Sequence, residues 1–372
     1  MKILVIPTTD WTGHPVPNRL NFIFDRLAKK HDVDICHFKL FEEKRRDTEC
    51  DLIPMDKGFI GSDVQTYYLS NFTRYGKKLA EIAGDYDCIV SSNIIPGAVA
   101  SIQDTCVVLD YLDHFPQSAS MYYDGPMSII SKKAASWITD FNLKKADGII
   151  TTTNMFKRML AKRTEVPVRV VENGVDTDVI RRVDPEDIER RFGLKHPVIG
   201  YVGSLERWID LESVIRLMPT ILKRYKNAQL FIVGSSLHTD FSKRLEDVAK
   251  EVDVEENVIF TGLVPYEHLA RYISAIDVGL NPREPLMMNS LTMGSKVLNY
   301  LACGVPVLNK NMPAVEDLFG PEDGVFGYSN DDEFIGELHK ALAHKVDSSV
   351  VKKFDWDELA EKYEKTLYGF LK

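Results

Sequence analysis

Ser295-Lys296-Val297-Leu298-Asn299-Tyr300-Leu301-Ala302-Cys303-Gly304-Val305-Pro306-Val307 is the stretch on which the reading of this chain turns. A polar loop with one lysine opens into a short apolar helix, which stops at Gly304 and runs into the extended Val305-Pro306-Val307-Leu308. The first turn of a helix leaves backbone N–H groups unpaired and carries about half a positive charge. A lysine is misplaced at that end unless an anion joins it, so Ser295 and Lys296 read as a grip for a diphosphate.

Outward from that stretch, short β-rich apolar runs alternate with helical patterns, the signature of βαβ units on a parallel sheet. In the first half the pattern predicts strands at Lys2–Pro7, Val33–Phe38, Cys88–Ser91, Cys106–Asp110 and Gly148–Thr152. Helices are expected over Arg19–Lys30, Tyr68–Ala83 and Ser131–Lys145. The second half restarts at Val198–Gly203 and continues through strands Gln229–Val233, Val258–Thr261, Val278–Asn281 and Val305–Asn309. Its helices are expected near Leu211–Tyr225, Asp240–Glu251 and Tyr266–Ile276, and Trp356–Leu371 reads as a long final amphipathic helix. Val183–Gly193, rich in Asp, Glu and Arg, reads as the linker between the halves.

At 372 residues the chain exceeds a comfortable single core, which points to two domains. A net charge of −9 with pI near 5.6 argues against a general polyanion binder, so nucleic acid is not an expected partner. The five cysteines are odd in number, far apart and without a C-x-x-C pair, which disfavours a disulfide framework or a structural zinc and points to the cytosol. Met1–Pro7 is too short an apolar run for a signal peptide and reads as a buried strand. No stretch is long and apolar enough to span a bilayer, so any membrane contact is expected to be peripheral.

Ligands of an open parallel sheet sit beyond the carboxyl ends of its strands. Four places there could carry chemistry. In Gly200–Asp210, Gly203 lets backbone approach a phosphate and Arg207 can add paired donors; the plainer reading is a tight turn with a solvated arginine. Ser295-Lys296 is the second. The third, Val171–Asp176, is a strand end followed by an Asn-Gly turn, itself a favoured turn dipeptide. The fourth, Val107–Pro116, sets Asp110, Asp113 and His114 after a buried strand, where one could take a proton from an acceptor hydroxyl; a helix cap with a surface histidine is the alternative. Several D-x-D tripeptides occur, but chance matches are expected in an acidic chain and no metal site follows from them.

Taken as a set, these residues resemble the GT-B glycosyltransferases, specifically glycosyltransferase family 4. Asn173-Gly174-Val175-Asp176 is similar to that family's "NGVD" turn, and Gly200–Asp210 to its "GYxGxxxxWxD" loop. Leu230–Gly234 with Asn257–Gly262 resembles the strand pair around the nucleotide base. Ala275–Pro282 followed by Lys296–Val307 resembles the "aDvxlxP…KxxEYxAxGxPV" block. The resemblance implies an α/β GT-B fold: two Rossmann-like domains facing across a cleft, with a C-terminal helix crossing back to the first. The implied division is 1–170 for the acceptor, 171–352 for the nucleotide sugar, and 353–372 for the returning helix.

It also implies roles. The donor would be held by Gly203, Ser204, Arg207, Gly262, Leu263, Ser295, Lys296 and Asn299, with Asp113 or His114 as catalytic acid/base. Asp10, His14 and Asn173 would stand on the acceptor side. The family usually carries glutamate at the position of Asn299, and eight positions earlier this chain has Leu291; an amide offers ribose hydroxyls one acceptor oxygen, and Glu316 is expected to compensate.

The expected function is hexosyl transfer from a nucleoside diphosphate sugar to a hydroxyl acceptor, a glycan or lipid-linked saccharide, with retention and without cofactor or metal. Two alternatives differ in outcome. A sugar-nucleotide epimerase would need no acceptor, although the "NGVD" and "KxxEY" pattern fits transferases better, and an inactive binding protein, hinted at by Asn299, would turn nothing over. Met127–Lys145 mixes Ile129, Ile130, Trp137, Ile138 and Phe141 with four lysines, which suits contact with an anionic membrane at its cytoplasmic face; ordinary core with solvated lysines is the reading the sequence favours.

Overall fold

The computed structural model describes residues 1–55, 64–121, 125–206, 208–236, 241–284 and 286–371. The chain forms two units, Met1–Glu172 with Trp356–Lys372, and Asn173–Asp355. The first holds a parallel sheet of β1 (Lys2–Ile6), β2 (Asp32–His37), β3 (Asp51–Pro54), β4 (Cys88–Ser91), β5 (Cys106–Asp110), β6 (Gly148–Thr151) and β7 (Val168–Val170), in spatial order β3-β2-β1-β4-β5-β6-β7. The second holds β8 (Val198–Val202), β9 (Gln229–Val233), β10 (Val258–Phe260), β11 (Val278–Asn281), β12 (Val307–Lys310) and β13 (Val325–Tyr328), in order β10-β9-β8-β11-β12-β13. In each sheet the strand order reverses once, at β1/β4 and at β8/β11, and a crevice for a ligand opens at such a switch point.

The strands are continuous apolar runs because both faces are covered; Val198–Val202 and Cys88–Ser91 are buried throughout. Two strand glycines let helices come close. A Cβ on Gly279 would meet the Tyr300 ring at 2.5 Å, and one on Gly200 would overlap Ile276. Tyr300 reaches across the sheet, donating to the Gly200 carbonyl at 3.3 Å and accepting the Val202 N–H at 2.8 Å.

Several boundaries move for local reasons. The helix expected over Tyr68–Ala83 is broken at Asn71, whose backbone leaves the helical region and whose side chain donates to the Tyr67 carbonyl, giving Val64–Ser70 and Phe72–Ile82. The helix expected from Ser131 starts earlier, with Pro126 preset at its first turn, and runs to Lys145. The Val183–Gly193 linker is a correction: it belongs inside the second unit, with helix Glu186–Phe192 ended by left-handed Gly193. The chain passes between units at Glu172 and returns at Trp356, because buried apolar contacts, not charge content, define a unit.

The returning helix Trp356–Tyr368 packs on helix Arg19–Leu27 of the first unit. Phe22 stacks on Trp356 at 5.1 Å, and Phe24 meets Tyr363 edge-on at 5.5 Å. Beneath them Arg19 donates to Asp110 at 3.1 Å and to the carbonyls of Val171 and Glu172, while Tyr363 donates to the same carboxylate at 3.2 Å. Burial pushes the Asp110 carboxyl up, and Arg19 and Tyr363 oppose that rise.

Candidate functional site

At the switch point of the second unit, β8 ends in Gly203, whose backbone has φ +146°. A Cβ there would overlap Cε of Lys296 and lie 2.8 Å from its Nζ, so only glycine admits the lysine across the strand end. Lys296 is the second residue of helix Ser295–Ala302, which begins at Gly294 with no side-chain cap. Its Nζ lies 5.5 Å from the Tyr201 ring centroid, and among the described residues no carboxylate pairs with it.

Arg283 stands at the same helix start: a Cβ on Gly294 would overlap its guanidinium. Burial first, then the positive charge of Arg283, lower the Lys296 ammonium to about 7. Lys296, Arg283 and an uncapped helix start therefore lie in one small region, a place that favours an anion. Motif spacing alone does not single out Arg283. Its signal was its place, two residues beyond the end of β11 at the strand-order reversal.

The neighbouring strand ends are glycine too. Gly234, at φ +141°, lies so close to the Gly203 carbonyl that a Cβ would overlap it, and Gly234 bridges to Gly262, at φ +74°. Leu263, exposed, follows beside this strip of bare backbone. Ser204 is held in its loop by Tyr201, which donates to the Ser204 carbonyl at 2.7 Å. Asn299 lies one turn beyond Ser295, half-buried, its side chain without a hydrogen-bond partner among the described residues. Arg207 lies outside the described residues.

Two expectations change, Glu316 at the donor and Asn173 on the acceptor side. Glu316 does not join Asn299: it is exposed, and its carboxylate lies 3.5 Å from where a Cβ on Gly327 would be, on edge strand β13, because the short helix Pro313–Glu316 turns it outward. Asn173 is a brace, donating to the Met293 carbonyl at 2.8 Å and so tying down the loop that leads into the Lys296 helix.

In the first unit, Asp113 and His114 lie between β5 and helix Phe115–Met121, both half-buried. Asp113 Oδ1 accepts the His114 backbone N–H at 2.7 Å, and His114 Nδ1 accepts the Gln117 N–H at 3.3 Å. Burial, followed by the charge of Arg163, holds the imidazole below its usual range, so it is neutral near pH 7. With Nδ1 an acceptor, the proton of the neutral ring sits on Nε2.

Asp10 presents no open lone pair to a substrate. It is buried, its Oδ1 accepts the N–H of Thr12 and Gly13 and its Oδ2 those of Leu40 and Phe41, with His37 3.4 Å away. Burial alone would raise its pKa, but these bonds outweigh burial and hold it well below the usual range; Asp10 clamps two loops together. His14 is half-buried, edge-on to Phe41 at 5.6 Å, its Nδ1 2.7 Å from the Val16 carbonyl. Among the described residues no cluster of His, Cys, Asp and Glu gathers that would hold a metal ion, and no helix is long and apolar enough to cross a membrane.

The model of "Glycosyl transferases group 1" matches residues 184–353, and that of "Glycosyltransferase Family 4" matches residues 21–179. An uncharacterized glycosyltransferase of Methanocaldococcus jannaschii is 26% identical over 57% of this chain and 57% of its own length. A GDP-mannose-dependent monoacylated phosphatidylinositol monomannoside mannosyltransferase of Corynebacterium glutamicum is 27% identical over 45% of this chain and 44% of its own. The chain thus spans about half the length of the curated relatives it matches. Among solved structures, Anabaena HepE in complex with UDP and glucose superposes with a TM-score of 0.74 at 18% identity, covering 99% of each chain, a likeness of fold.

Proposed function

The chain belongs to the group 1 glycosyltransferases of the GT-B fold, and on that premise we propose that it moves a sugar from a nucleoside diphosphate sugar to a hydroxyl acceptor. One observation carries this reading: Lys296 lies against Gly203, where the strand order reverses, and Arg283 stands at Gly294, the uncapped start of the lysine's helix. As the bond from the anomeric carbon to the diphosphate breaks, negative charge grows on the leaving oxygen. Cations already in place stabilise that charge without reorganising. The strip Gly203-Gly234-Gly262 beside exposed Leu263 suits the flat base of the nucleotide, and the unpartnered Asn299 amide its ribose.

The acceptor oxygen forms the new bond to the anomeric carbon, and its proton goes to Asp113. His114, with its proton on Nε2, serves as a hydrogen-bond donor and not as the base. The acceptor is proposed to be a glycan or lipid-linked saccharide, in keeping with the name of the Corynebacterium relative. Retention of the anomeric configuration is proposed on the family resemblance, and proton NMR of the first product formed tests it.

Lys296→Ala tests the central assignment. Turnover should fall about 100-fold, the usual size of a lost preorganised donor, and thermal stabilisation by the nucleoside diphosphate should shrink. Unchanged turnover and unchanged stabilisation would remove the phosphate role. Purified protein that binds the donor yet neither transfers nor hydrolyses it would favour the inactive binding protein, for which the missing carboxylates at Leu291 and Asn299 speak.

A further inference from the structure

Helix Pro126–Lys145 buries Ala135, Thr139, Asn142 and Leu143, and Asn142 donates to the Ile94 carbonyl at 2.8 Å. Its opposite face recurs at three- and four-residue intervals through Pro126, Ile130, Lys133, Trp137, Phe141 and Lys144. That face is not core: Trp137 is 72% exposed, Ile129 60%, Ile130 57% and Met127 51%. The Trp137 and Phe141 rings stack at 6.4 Å, making one flat apolar ridge.

Charge selects the occupant. Residues 126–163 carry eight Lys and Arg against two Asp, in a chain whose net charge is −9. Lys132, Lys133, Lys144 and Lys145 are exposed on the helix itself, while its one acid, Asp140, is held by Arg163 at 2.6 Å. Aromatic and aliphatic side chains flanked by lysine stems suit the boundary of a bilayer, where rings enter the acyl region and ammonium groups meet phosphates. A protein partner of matching acidity would meet the lysines but has no need of the apolar ridge between them.

We infer that this helix seats the first unit on an anionic lipid surface through Ile130, Trp137 and their flanking lysines. The seat lies directly along the chain from Asp113 and His114, by way of helix Phe115–Met121, whose Ala119 carbonyl accepts from Ser131 at 3.1 Å. It deepens the proposed function by placing the acceptor at a membrane, yet vesicle binding itself needs no donor.

The test is co-sedimentation with phosphatidylcholine vesicles against vesicles containing about 30% phosphatidylglycerol, without nucleotide. The full chain should bind the anionic vesicles at least about tenfold better and be released in high salt. Ile130→Ser with Trp137→Ser, and separately Lys132→Glu with Lys133→Glu, should each weaken binding about tenfold. Melting temperatures matching the parent confirm folding, and unchanged stabilisation by nucleoside diphosphate keeps the donor site out of the result. Equal sedimentation of parent and variants, or none with either vesicle, overturns the inference. So does a dimer that the Ile130 and Trp137 changes dissolve, since a second copy would then cover the ridge.

Discussion

At Lys296 protonation bears on the proposed binding of a diphosphate. Its ammonium is lowered to about 7 in the free protein, whereas an unfolded lysine keeps about 10.4. The unfolded chain therefore binds more protons between those values, so the cost of burying this lysine is full below about pH 7 and fades as pH rises toward the unfolded value. Lys296→Met should raise the melting temperature at pH 6 and lose that gain by pH 10, read by calorimetry without ligand. A bound diphosphate would favour the ammonium, so nucleoside diphosphate affinity should weaken as pH climbs above 7 in the parent and stay flatter in the variant, read by titration calorimetry. Gly203→Ala should abolish donor stabilisation, because its methyl occupies the lysine's path.

Among elements, the loop into helix Ser295–Ala302 and the strand under it set the site. Asn173→Ala removes the donor to Met293 and should raise KM for the donor several-fold with a smaller change in kcat, since it positions the loop and touches no reacting atom. Gly279→Ala drives a methyl into Tyr300 and should cost about 1–3 kcal/mol in urea denaturation. Both follow from close approach that motif reading only hints at. The "KxxEY"-like block located the helix and its lysine, but the brace from Asn173 joins residues 120 positions apart.

Across the molecule, the returning helix completes the first unit. Tyr363→Phe removes one of the two side chains that donate to the buried Asp110 carboxylate and should cost about 1–3 kcal/mol, read as a lower urea midpoint. Deleting 356–372 uncovers Phe22 and Phe24 and should send the protein to the insoluble fraction.

The α/β class, most strands, the Lys296 helix and the returning helix were legible because each is written in local periodicity and in glycine and proline placement. Asp113, His114 and Lys296 stood out by lying just after strands or at helix starts. Only the tertiary structure could separate a clamped carboxylate at Asp10 from an open one, move Glu316 to the edge strand, bring in Arg283, and show that the Trp137 stripe faces outward. Those outcomes depend on which distant backbone groups reach a side chain and which face of a helix finds a neighbour. Sequence periodicity gives an apolar face, and packing decides whether the protein's own core is what covers it.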